Sequence, residues 1–206
     1  MQPFTVHTGV VAPLERVNVD TDSITPSRFL KRITRTGYED ALFCDWRTLP
    51  DGRPNPEFIL NAPGYHSASL LVTGRNFGTG SSREHAVWAL MDSGFRAVIA
   101  PSLADIFHKN CLENGLVPVL LSEEQVRGLM GKALASPGYR LTVDLERCEV
   151  RDTEGLCVAF VIHQDPETHV FRRHTMLNGL DEIGLTLQHQ DRIRAYEERI
   201  GLRPLR

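Results

Sequence analysis

Apolar residues along the chain fall into short runs, and these runs alternate with segments of helical period. Phe4 to Val11 mixes β-branched and apolar residues and predicts a strand. Ser69–Thr73, Phe95–Ala100 and Leu116–Leu121 are brief apolar runs of the length that a buried strand needs. Between the first two runs, Ser82 to Ser93 has helical spacing in Ala86, Val87, Leu90 and Met91. Ser102 to Asn114 predicts a helix opened by a serine cap and closed by Gly115. Ser122-Glu123-Glu124-Gln125 has the form of a capping box and starts a further helix. Strands alternating with helices across short links imply a right-handed α/β unit with a mainly parallel sheet.

The pattern changes downstream. Arg140 to Ile162 holds short β segments around the turn Asp152-Thr153-Glu154-Gly155, which predicts an antiparallel addition. From Glu167 the chain reads mostly helical, and its charged run from Gln190 to Arg199 reads as a solvated helix face. Upstream, Asn18 to Pro26 is too polar and turn-prone for a regular element. Pro26 followed by Ser27-Arg28-Phe29-Leu30 suits the first turn of a short helix. Residues Thr48 to Gly64 hold four of the twelve prolines and predict an irregular loop. The expectation is one domain over residues 1–206, with a core of about 1–135 and a C-terminal β/α extension of about 136–206.

Composition narrows the classes. Of 206 residues, 41% are hydrophobic and 24% charged, ordinary values for a globular protein. A net charge of -3 and a pI near 6.2 argue against a dedicated nucleic-acid binder. No window is apolar over the roughly 18 residues a membrane helix needs, and no basic, apolar leader opens the chain. The expected compartment is the cytoplasm. Cys44, Cys111, Cys148 and Cys157 are scattered without a Cys-x-x-Cys pair, so no metal or iron–sulfur site is expected from this chain alone.

The segment that carries chemistry is Gly74-Arg75-Asn76-Phe77-Gly78-Thr79-Gly80-Ser81-Ser82-Arg83, between a predicted strand and helix. Its glycines permit tight turns and close approach of a ligand to the backbone. Free amides at a helix start favour a carboxylate or phosphate, and Arg83 or Arg75 could clamp one. An anion cradle is one reading. The other is a plain capping box in which Ser81 and Glu84 satisfy orphan amides. His85 is read as a packed, hydrogen-bonded side chain. A dinucleotide fingerprint, a P-loop and a nucleophile elbow are each ruled out by the residues present.

The string Gly80-Ser81-Ser82-Arg83-Glu84-His85-Ala86 resembles the signature of the swivelling C-terminal domain of aconitases and of the separate small subunits of their relatives. Asn18-Val19-Asp20-Thr21-Asp22-Ser23-Ile24-Thr25-Pro26 is similar to that family's N-terminal element. Ala97 to Phe107, Asn110 and Asn114 to Pro118 resemble the strand–helix–strand that follows the signature. Asn178 to Leu187 is similar to the ending of bacterial 3-isopropylmalate dehydratase small subunits.

The resemblance implies a hydro-lyase that interconverts 2-isopropylmalate and 3-isopropylmalate through 2-isopropylmaleate, in leucine biosynthesis. It implies a large-subunit partner, in a heterodimer or heterotetramer. That partner would carry a [4Fe-4S] cluster whose open iron acts as Lewis acid on the departing hydroxyl. It implies Ser81 as the base beside a substrate carboxylate, Ser82 and Arg83 as carboxylate binders, and Asp22 and Thr25 as lining of the cleft. For Asp22 and Thr25, local turn hydrogen bonding is an equal reading. Leu30 and Ile33 are the candidates for an apolar surface against an isopropyl group. Two alternatives stay open: a homoaconitase or citramalate-type small subunit, and a non-catalytic carboxylate-binding α/β module.

Overall fold

The computed structural model of the protein describes residues 1–201. Seven strands form one sheet: β1 Val6–Leu14, β2 Ala68–Thr73, β3 Ala97–Ala100, β4 Val117–Leu120, β5 Arg140–Asp144, β6 Glu149–Arg151 and β7 Cys157–Ala159. They lie in the order β4-β3-β2-β1-β5-β6-β7. The first four run parallel, through pairs such as Ala12 with Leu71, Leu71 with Val98 and Val98 with Pro118. From β1 outward, β5, β6 and β7 pair antiparallel, as the change of pattern after Arg140 predicts.

Helices cover both faces of the parallel half, which is why its strands are apolar runs instead of alternating ones. In chain order the helices are α1 Thr21–Ile24, α2 Cys44–Arg47, α3 His85–Asp92, α4 Asp105–Asn114, α5 Glu123–Ala135, α6 Pro166–Asn178, α7 Glu182–Leu187 and α8 Gln190–Arg199. Ala12, Leu71 and Val98 point into a core shared with Ala86, Val87 and Leu90 of α3 and Phe107 of α4. Their neighbours Val11, Leu70, Val72 and Ile99 point the other way, onto Val126, Leu129, Met130 and Ala133 of α5. Successive strand residues thus serve opposite layers, and α5 meets the sheet with a three-and-four spacing. The irregular stretch before β2 also feeds the first core, with Tyr38, Phe43, Phe58, Leu60 and Tyr65 buried. Within the predicted loop, residues Ile59–Asn61 and Pro63–Tyr65 form single 3₁₀ turns.

Several boundaries differ from the sequence reading, each for a tertiary reason. The capping box at Ser122 forms as expected, with Gln125 N–H donating to the Ser122 hydroxyl at 3.2 Å and Ser122 N–H to Gln125 at 2.9 Å. The two other serine caps do not form. Helix α4 opens at Asp105 after Ala104, because the Ser102 hydroxyl accepts from Asn76 N–H at 2.9 Å instead. Gly115 closes that helix at φ 90°, as expected. Helix α3 opens at His85 and not at Ser82, with Glu84 making no cap. In the Asp-rich stretch, Asp20 accepts from Ser23 N–H at 2.6 Å and so supports the single turn α1. The turn expected after Pro26 is a 3₁₀ helix, Ser27–Lys31. No helix of the described residues is long and apolar enough to cross a membrane.

Candidate active site on an open face

Two loops leave the ends of adjacent parallel strands and are knitted together, extending the β1–β2 ladder. Gly74 N–H donates to Arg16 O at 2.9 Å, Asn18 N–H to Arg75 O at 2.9 Å, and Gly78 N–H to Val19 O at 2.7 Å. Thr21 N–H then donates to Thr79 O at 2.8 Å. This lacing places α1 beside the turn that begins at Gly80. Gly78 sits at φ 80° with its α-carbon against the Phe107 ring, where a Cβ would overlap ring atoms. Phe77 and Phe107 meet edge-to-face at 5.3 Å beneath the loop, so the segment rests on a rigid aromatic floor.

Ser81 and Ser82 are exposed at the top of that turn. The Thr21 hydroxyl donates to Ser81 O at 3.2 Å and lies 3.4 Å from the Ser81 Oγ. The Arg83 guanidinium is mostly covered and forms an ion pair with Asp22, whose side chain is 56% exposed. Downstream, Glu84 accepts from Asn114 Nδ2 at 2.8 Å, and Asn114 Oδ1 accepts from Trp88 Nε1 at 3.0 Å. The Ser81–Arg83 turn is therefore pinned at one end by α1 and at the other by α4. Glu84 is used in this bridge, which is why the capping-box reading of the signature fails.

His85 lies between the Trp88 ring, 4.7 Å away, and the Tyr38 ring, 5.5 Å away. It is packed, as expected, but among the described residues neither of its ring nitrogens has a hydrogen-bond partner. Burial is the main reason that its pKa falls below the ordinary histidine value.

The other anticipated residues separate into two groups. Asp22 and Arg83 come together with Ser81 and Ser82. Thr25 is buried, and its hydroxyl has no partner among the described residues. It shares the inward side of the single-turn helix with Thr21, four positions earlier. Leu30 is half-buried, whereas Ile33 is 99% exposed at the tip of the following loop. Two cations of that loop are already paired: Arg28 with Asp45, and Arg32 with both oxygens of Asp40 at 2.7 Å. Arg35 lies 5.6 Å over the Trp88 ring and has no acidic partner among the described residues. Arg75, the other arginine considered for the anion, instead faces α5, 3.6 Å from Glu123.

Thr21 and Asn114 are the residues that sequence reasoning missed. Thr21 stands inside the quoted Asp-rich element, and helical phase would have singled it out had α1 been recognised. Asn114 carries no local signal of this role, because the partners that tie it to the turn, Trp88 and Glu84, are 26 and 30 positions away.

The site is a surface. A cleft of about 660 Å³ lies between the 39–61 stretch and the end of α3, and contains none of Ser81, Ser82 or Arg83. No group of three or more His, Cys, Asp or Glu among the described residues is placed to hold a metal ion. The four thiols are free and lie on separate parts of the chain.

Comparison with known proteins gives the family of the chain. The aconitase C-terminal domain family matches residues 1–124. Two families of the same branch follow: LeuD_N over 127–163, and over 182–200 the C-terminal domain of the 3-isopropylmalate dehydratase small subunit. The chain is 56% identical to the 3-isopropylmalate dehydratase small subunit of Brevibacillus brevis, over 97% of this chain and all of that one. It is 54% identical to the small subunit of Methylibium petroleiphilum, over 99% and 96% of the two chains. For Rhodopirellula baltica the identity is 56%, over 98% of this chain and all of the other. The crystal structure of 3-isopropylmalate dehydratase from Methanocaldococcus jannaschii shares the fold, with a TM-score of 0.64 at 22% identity, covering 93% of this chain and 99% of that one. A laced pair of strand-end loops presenting Ser81, Ser82 and Arg83, on a chain matched end to end by these relatives, identifies the chain as a member of the 3-isopropylmalate dehydratase small-subunit family.

Proposed function

We propose that the Ser81–Arg83 turn and α1 are this chain's half of a hydro-lyase active site, whose other half a large subunit brings to 2-isopropylmalate or 3-isopropylmalate. The observation that carries this reading is the exposed Ser81 hydroxyl, held beside Thr21 and next to the Arg83–Asp22 pair on an open face. An enclosed active site would hide these groups in a pocket; a shared one leaves them at the surface until the partner arrives. The described residues offer no donor set for an iron–sulfur cluster. In this reading the partner holds the group that takes the departing hydroxyl. The four free thiols suit a reducing compartment such as the cytoplasm.

Each residue has a defined task in this reading. Asp22 occupies Arg83 in the free chain as a carboxylate would. A substrate carboxylate displaces it and takes the guanidinium fork, with Ser82 as a further donor. That contact sets the adjacent carbon against Ser81. Ser81 removes the proton there as the hydroxyl leaves on the partner's side, giving 2-isopropylmaleate; water then adds at the other carbon. A serine hydroxyl is a poor base, so its conjugate alkoxide must be stabilised by nearby donors. The Thr21 hydroxyl, 3.4 Å from the Ser81 Oγ, is the donor beside it, and Arg83, two residues on, supplies positive charge to the same turn. Leu30 and Ile33 offer the apolar surface for the isopropyl group, Ile33 becoming covered when the partner closes the site.

The test is to mix the chain anaerobically with its cluster-bearing large subunit and compare isopropylmalate, homocitrate and citramalate. Turnover of isopropylmalate at least tenfold above the others, and none by the isolated chain, supports the reading. Preference for homocitrate or citramalate moves the chain to a neighbouring branch. Tight carboxylate binding by the isolated chain without turnover in the complex refutes the catalytic role.

A further inference from the structure

Seven of the thirteen exposed large hydrophobic side chains among the described residues lie on or directly after α6, α7 and α8. That concentration makes the C-terminal helices unlike the rest of the molecule. Helices α3 and α5 bury their apolar rows against the sheet. On α7, by contrast, Ile183 and Leu187 stand four positions apart and are 70% and 57% exposed. On α8, Ile193, Tyr196 and the closing Ile200 recur at spacings of three and four, hence on one face, and all three are exposed. At the helical angle of about 100° per residue, Arg192 and Arg199 border this row on one side and Glu197 on the other. A folded chain that leaves such a row in water carries an interaction surface.

Two observations indicate what covers it. The aconitase C-terminal domain family ends at residue 124, whereas residues 182–200, which span α7 and nearly all of α8, match a family described as the C-terminal domain of a small subunit. The segment is thus matched by a family described for a small subunit, outside the part of the chain matched by the aconitase C-terminal domain. A separate subunit has to hold its partner without a peptide link. Second, α7 is continuous with the face that bears the signature loop. Ile183 and Leu185 share a cleft of about 210 Å³ with Glu84, Asn114 and Arg35. A partner that closes over Ser81 is already beside α7.

We propose that the apolar row of α7 and α8 is a docking surface for the large subunit. It would engage an apolar groove on that subunit, edged by acidic side chains where Arg192 and Arg199 meet it. The proposal rests on the reading of this chain as half of a two-subunit enzyme. Its test reads binding, so it stands apart from catalysis.

The experiment compares the wild-type chain, an Ile193→Glu/Tyr196→Glu double variant and Glu198→Gln on the opposite face of α8. Calorimetric titration with the large subunit gives the affinity, and circular dichroism with thermal melting verifies that each free chain is folded. The double variant is expected to melt like wild type and to bind about tenfold or more weakly, while Glu198→Gln is unchanged. Arg192→Glu/Arg199→Glu, which keeps the apolar row, is expected to slow association about tenfold at low salt and less at high salt. Unchanged affinity in both double variants overturns the proposal. So does a lone wild-type chain that dimerises through this row, with the Glu variant monomeric and still binding the large subunit normally. A wild-type chain that fails to bind any large subunit refutes the two-subunit reading itself. A Ser81→Ala chain that binds normally but does not turn over keeps the two questions separate.

Discussion

Thr21 and Ser81 illustrate how much of a site can depend on one hydroxyl. Thr21 holds the Ser81 backbone and lies within reach of its Oγ. Thr21→Val is expected to lower kcat roughly five- to tenfold with little change in KM, the loss of one neutral hydrogen bond at the reacting group. Thr21→Ser should restore most of the rate. A raised KM with unchanged kcat would assign Thr21 to substrate binding instead. At this scale the sequence was only partly legible. The signature string marked Ser81, Ser82 and Arg83, and the Asp-rich element marked Asp22. Neither showed that Asp22 and Arg83 pair with one another, because that contact joins positions 61 apart. Nor did the string separate Thr21 from Thr25; their different surroundings come from the packing of a single helical turn.

The same division appears in whole elements. The buried parallel strands and α5 were legible because their signals are local: continuous apolar runs, and a capping box completed within four residues. The starts of α3 and α4 were not, since the hydroxyls that looked like caps are used by distant partners, Ser81 facing Thr21 and Ser102 binding Asn76. Substitutions should show the contrast. Ser122→Ala removes a cap that forms and is expected to cost about 1 kcal/mol of stability by urea denaturation. Gly78→Ala places a methyl group into the Phe107 ring at φ 80° and should cost more, about 2–4 kcal/mol. Equal, small losses at both positions would mean that the loop does not rest on Phe107 as described.

For the whole molecule, the sheet continues unbroken from the parallel half through β1 into the antiparallel strands, and both layers are held by buried side chains. Four histidines share in that burial. Desolvation is the largest cause that lowers the pKa of His7, His85, His108 and His169. Their folded values lie below the unfolded value of about 6.5, so the unfolded chain takes up protons first as the pH drops. Stability is then complete above about pH 6.5 and lost progressively below it. Asp40 and Asp144 are also shifted down, but their contribution fades only as the pH falls below about 3.9. Urea midpoints should therefore decline between about pH 7 and pH 5, and a flat profile would contradict the burial of these rings. The proposed role of Ser81, proton abstraction in an active site shared between two subunits, is read out by single-turnover dehydration of 3-isopropylmalate with Ser81→Ala, in complexes whose assembly with the large subunit is verified in the same sample. The complex is expected to assemble, with the rate lowered by about 10²–10⁴-fold. An assembled Ser81→Ala complex that forms 2-isopropylmaleate at the wild-type rate would contradict that role.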